Sequence, residues 1–84
     1  MDTEFSQTVP TRPWMTLTAR IMKMPAGWHA VELGCTTPDT GEAILWSRIF
    51  RTESMATIKD ALVRQWTHFF AEFNGENPGP RPKD

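Results

Sequence analysis

Two stretches of the chain alternate between apolar and polar positions, a third is apolar at both parities, and a fourth follows a different period. In residues 14–24, WMTLTARIMKM, Met15, Leu17, Ala19 and Ile21 fall on one side, and Thr16, Thr18, Arg20 and Met22 on the other. That period of two predicts a β-strand. Residues 28–36, WHAVELGCT, repeat it with Val31, Leu33 and Cys35 on one side. Residues 42–51, EAILWSRIFR, are apolar on both sides, as in a strand buried on both faces. Beyond Thr52 or Ser54 the period changes. Met55, Ile58, Leu62, Trp66, Phe69 and Phe73 recur at steps of three and four, flanked by Ala61 and Phe70. This predicts an amphipathic helix of about 20 residues, roughly 30 Å long. Thr52 or Ser54 supplies its N-cap, and Asn74-Gly75 its stop. Asp60/Arg64 and His68/Glu72 are spaced as neighbours on its polar side.

The turns join these elements into a β-β-β-α order. Pro25-Ala26-Gly27 suits a three-residue hairpin loop with Gly in the left-handed position. That loop pairs Ile21 with Val31, Ala19 with Leu33 and Leu17 with Cys35, and sets Arg20 opposite Glu32. Apolar residues then meet on one face and a charge pair on the other, which favours this register over a one-residue slip. The second turn is looser. A five-residue loop, 37–41, pairs Leu33 with Leu45 and Trp28 with Phe50, and a four-residue loop sets Trp46 beside Leu33. The fold expected is α+β, a three-stranded antiparallel meander with one long C-terminal helix packed on one sheet face. Residues 1–13, with Pro10 and Pro13, read as a flexible arm, pinned at Phe5 or Trp14. Residues 14–74 read as the single domain, and the proline-rich 75–84 as a disordered tail that does not pack.

Composition sharpens one point. The 84 residues contain four Trp and five Phe, a heavy aromatic load for one small domain. One helix covers one sheet face. In the favoured register the other face carries Met22, Met24, Trp28, Ile44, Trp46 and Phe50, ringed by Arg20, Glu32 and Arg48. Left in water, these would exceed the apolar patch a monomer usually shows. This face is therefore the expected partner-binding surface, with Trp28, Trp46 and Phe50 as anchors and Arg20, Glu32 and Arg48 orienting.

Charge and chemistry narrow the partner. Nine basic residues against ten acidic give a net charge of −1, which argues against a bulk electrostatic grip on duplex DNA. One cysteine permits no internal disulfide and fits a reducing, cytoplasmic location; no signal peptide and no membrane span are read. His29, Cys35 and His68 lack metal-ligand spacing, so no metal and no cofactor are expected. Cys35 has no base in reach, since His29 lies six residues along the same strand, roughly 20 Å away. Cys35 reads as a buried structural thiol, His29 as a partly exposed strand-end residue, and His68 as a solvated surface residue. Glu32 and Glu42 belong to no recognisable carboxylate motif, and no P-loop, GxSxG or HExxH is present.

At the level of layout, the order is similar to the sheet-and-helix arm-binding domain of phage integrases. That similarity rests on the Thr40-Gly41-Glu42 turn and the Phe50-x-Thr52 step into the helix; that family's basic strands are missing. The order is also similar to coactivator-type single-strand binders, without their lysines. Size and the absence of motifs resemble the small inhibitors encoded by phages and mobile elements. No family is assigned on these layouts. The expectation is a non-catalytic protein-binding module, a regulator or inhibitor that sterically blocks a larger protein, homodimeric through the open sheet face. The alternative is a dimeric single-stranded nucleic-acid binder using the same face, with bases stacked on the tryptophans.

Overall fold

The computed structural model describes residues 2–51 and 54–83. Four antiparallel strands form one sheet in chain order: β1 (Thr3–Val9), β2 (Arg12–Lys23), β3 (Trp28–Thr37) and β4 (Gly41–Arg51). Helix α1 (Met55–Phe73) packs across one face of it. The architecture is α+β as expected, but with four strands instead of three. The additional strand lies in the segment read as an arm. Phe5 pairs with Ala19 and Gln7 with Leu17 along the free side of β2. Its alternation is masked because the polar Thr3 and Gln7 share a side with Phe5 and Val9, and because Pro10 and Pro13 look like linker residues. Thr8 pairs with Thr16 but Val9 with Arg12, so residues 13–15 form an excursion. That excursion tolerates Pro13, and Val9, on the same side of β1 as Phe5, is fully buried.

The β1–β2 turn is tied down by the far end of the helix. The Arg12 guanidinium donates to the Phe73 carbonyl at 2.7 Å, and the Thr11 amide and hydroxyl both donate to Asn74 Oδ1. A cation on a C-terminal carbonyl satisfies an orphan acceptor and complements the helix dipole. Gly75, at φ 81°, then closes the helix. Its amide bonds the Glu72 carbonyl, and that of Glu76 bonds Ala71, as in a Schellman stop. At the other end Ser54 is the cap, its hydroxyl accepting from the Thr57 amide at 3.2 Å. Thr52, the other candidate cap, lies outside the described residues.

The first hairpin has the predicted register throughout, including Ile21–Val31, Ala19–Leu33 and Arg20–Glu32. The second contains both registers considered for it. From the turn, Thr36 pairs with Glu42, Cys35 with Ala43 and Gly34 with Ile44, as the longer loop requires. One residue later Leu33 pairs with Trp46, Val31 with Arg48 and His29 with Phe50, as the shorter loop requires. The change is a β-bulge, with Leu45 as the inserted residue. Because side chains alternate, the insertion moves every later residue of β4 to the opposite face.

That shift overturns the expected placement of Trp46, Phe50 and Arg48. All three lie on the helix side. Trp46 is 5% exposed and Phe50 4%, both packed with Leu17, Leu33, Ile58 and Phe69 in the core. Arg48 lies over the Phe50 ring at 4.6 Å. Burying two aromatic side chains contributes about 1.5–3 kcal/mol each, which favours the bulged arrangement over the straight one.

Residues 76–83 have no helix or strand, yet they are not detached. Arg81 lies 5.0 Å over the Phe69 ring and donates to the Leu45 carbonyl at 3.3 Å, while Gln65 Nε2 donates to the Pro82 carbonyl. The tail thus straps the outer side of α1 to the bulge and supplies a donor to the inserted residue.

In the Pro25–Gly27 turn, Ala26 takes the left-handed conformation at φ 61° along with Gly27 at φ 80°. A side chain there carries a steric cost that glycine avoids. Ala26→Gly is expected to stabilise the fold by about 0.5–1 kcal/mol. Thermal melts followed by circular dichroism should show Tm rising by a few degrees, and a fall would contradict the turn geometry.

Candidate functional site

The sheet face away from α1 is covered by no element among the described residues, and its residues follow from the registers. They form rows across the strands. Trp28 and Arg51 make the first row, with the Arg51 guanidinium 5.3 Å over the indole. Met22, Ala30 and Ile49 make the second. Glu4, Arg20, Glu32 and Ser47 make the third. Ser6, Thr18, Gly34 and Ile44 follow, with the Ser6 and Thr18 hydroxyls bonded at 3.1 Å.

The face therefore has an apolar end and a charged centre. Of the expected partner-binding residues it keeps Met22, Trp28, Ile44, Arg20 and Glu32, with Met24 exposed at the adjoining turn. It loses Trp46, Phe50 and Arg48 to the core side and gains Ile49, 57% exposed, which the straight register had turned inward. Nothing in local sequence marks the bulge, so Ile49 could be found only by asking which register buries both Trp46 and Phe50.

Arg20 organises the centre. Its Nε donates to Glu4 at 2.9 Å, and its two terminal nitrogens bond both Glu42 oxygens at 2.9 and 2.8 Å. Glu32 stands 3.7 Å away. Paired carboxylates and a fork of guanidinium donors make this a bidentate bridge with geometric specificity. Gly34 leaves room for it. A Cβ there would come within 3.3 Å of the Glu42 carboxyl carbon, so the glycine leaves the path along which Glu42 crosses β3 to Arg20. The hydrogen bonds from Arg20 hold the Glu42 carboxyl below its usual range, and those from Glu42 and Glu4 raise Arg20 further. Three carboxylates around one guanidinium give this centre a surplus of negative charge.

The other titratable candidates are placed elsewhere. Cys35 is buried on the helix side, and desolvation pushes its thiol up, which disfavours the thiolate that nucleophilic chemistry requires. His68 is not the solvated residue expected. Its side chain is nearly buried and its Nε2 lies 3.4 Å from Glu72. It lines a cavity of about 290 Å³ whose far wall is Pro78, Pro80 and Pro82 of the tail. The i,i+4 pair Asp60–Arg64 forms as spaced. Among the described residues no group of three His, Cys, Asp or Glu side chains could hold a metal ion, and no helix is long and apolar enough to cross a membrane.

These features define a small α+β sheet-and-helix module with one uncovered sheet face. No protein-family model, curated protein or solved structure matches the chain at a significant level.

The Arg20–Glu42 bridge predicts an acid-sensitive contribution to stability. A carboxylate whose folded pKa is depressed stabilises the fold above its unfolded pKa, and loses that contribution as pH falls through the folded value. Urea midpoints of the wild type and Glu42→Gln should differ near neutral pH and converge between about pH 5 and about pH 3. A constant gap across that range would show that the bridge is not formed.

Proposed function

We propose that the chain is a non-catalytic protein-binding module whose contact surface is the open sheet face. The observation that carries this reading is the uncovered apolar end, Trp28 with Met22, Ala30 and Ile49, directly beside the carboxylate-rich centre around Arg20. An apolar patch with a charged border is the ordinary anatomy of a protein contact. The fitting partner is a larger protein presenting an apolar patch and a lysine or arginine that can reach Glu4, Glu32 or Glu42. Regulation or inhibition by steric occlusion follows, because a rigid sheet laid on such a patch blocks it without chemistry. Catalysis has no support from Cys35 or from either histidine.

Single-stranded nucleic acid is the second reading, favoured by the Arg51–Trp28 stack on the same face. The surplus carboxylates two rows away oppose a phosphate backbone, so protein is preferred.

Ile49→Asp tests the face, since at this half-exposed strand position it should cost only about 1 kcal/mol of stability, leaving the chain folded. In quantitative co-purification from lysate of the source cells, a specific protein should be retained by wild type and by the control Met55→Asp, an exposed position on the helix, and lost by Ile49→Asp. Equal retention by all three would sink the assignment. Quenching of tryptophan fluorescence by oligonucleotide, weakening steeply with salt, would move it to nucleic acid.

A further inference from the structure

The two edges of the sheet differ in how they are guarded. At the β4 edge, the bulge at Leu45 interrupts the strand and Arg81 occupies the Leu45 carbonyl. Bulges and capped carbonyls are ways of stopping further strand pairing. Among the described residues the β1 edge carries no such device. Residues 3–9 contain no lysine and no proline, and their one charged side chain, Glu4, is held on the open face by Arg20. The bulge in the β1–β2 pairing comes only at its last residue. Beside this edge, on the helix side, lies an apolar groove of about 310 Å³ lined by Phe5, Ile21, Leu62, Val63 and Trp66, with Lys59 also contributing. Phe5 and Val63 on its rim are 57% and 59% exposed.

We propose that a second copy of the chain occupies this edge, two β1 strands pairing antiparallel about a two-fold axis to make one continuous eight-stranded sheet. The strand's own residues argue for this occupant and select the register. With Phe5 on the axis the two phenyl rings meet on the helix side, each beside the other copy's groove. Thr3 then faces Gln7 and Glu4 faces Ser6 of the other copy. Centring Glu4 instead would oppose two carboxylates, and centring Ser6 would leave Phe5 against Gln7. No like charges face each other across the chosen seam.

The area fixes the strength. A seven-residue strand spans about 24 Å, and the molecule is 16 Å across its shortest dimension. A seam of that length and depth covers at most about 400 Å² per copy, or about 800 Å² in total, below the roughly 1,000 Å² of a stable contact and in the range of a transient one. Main-chain hydrogen bonds supply much of the affinity in this mode of pairing. The dimer is accordingly weak and concentration-dependent. It sets the two open faces side by side on one platform, and it uses none of their side chains.

Sedimentation velocity on the full chain tests this between about 10 μM and about 1 mM. The weight-average mass should climb from 9.6 kDa toward twice that value. Phe5→Asp, which sets two carboxylates on the axis, should hold the chain at one copy, while Ile49→Asp should leave self-association unchanged. Amide exchange at Glu4 and Ser6 of the wild type, whose N–H groups point out from the edge while that of Phe5 points to β2, should slow on concentrating, a reading that does not depend on any variant folding. A mass that stays at one copy throughout would overturn the proposal. So would dimerisation that survives Phe5→Asp, or that Ile49→Asp abolishes.

Discussion

The inserted residue in β4 decides most of what this molecule presents to its surroundings. A strand has no means of sharing its side chains between faces except by parity, so one extra residue reassigns everything beyond it. Before Leu45, the even-numbered residues of β4 face away from the helix; after it, they face toward the helix. Trp46 and Phe50 thereby enter the core beneath α1, and Ile49 is left outside. A sheet with one helix can bury only one of its faces. The bulge sends the two largest side chains of β4 to the face that is covered.

The cost of a bulge is an interrupted ladder, and the rest of the chain is arranged around that cost. Arg81 reaches back from the tail to the Leu45 carbonyl while its guanidinium rests on Phe69. At the opposite end of the sheet, Arg12 does comparable work for the helix terminus by donating to the Phe73 carbonyl. Two segments with the composition of linkers therefore close the ends of a core too small to tolerate loose acceptors. In a domain of this size the covered surface is a modest fraction of the whole, and contacts made by the termini count.

The open face is more polar than a straight third strand would have made it. Its centre is an ion cluster in which Arg20 is saturated by Glu42 and Glu4, with Glu32 close by. This arrangement ties all four strands together without apolar packing, which suits a face that stays wet. Apart from Ile44, on the far side of the charged centre, the remaining apolar residues lie in two rows at one end, beside the Pro25–Gly27 turn. A contact there engages a compact patch next to negative charge, a narrower specification than a broad aromatic surface.

Much of the fold was legible locally. The alternation of residues 14–24 and 28–36 specified two strands, and matching apolar pairs with Arg20 against Glu32 specified their register. The change to steps of three and four specified α1, with Ser54 and Asn74-Gly75 at its ends. These features depend on neighbours a few residues apart, so a single chain displays them. The fourth strand, the bulge, the packed tail and the burial of His68 depend on residues far apart in sequence: Phe5 against Ala19, Leu45 against Arg81, Arg12 against Phe73. For the site, the chain by itself named Arg20, Glu32, Met22 and Trp28 on one face. Only the tertiary structure put Ile49 there and removed Trp46 and Phe50, because the face taken by an apolar strand is set by whichever register buries more of it beneath the helix.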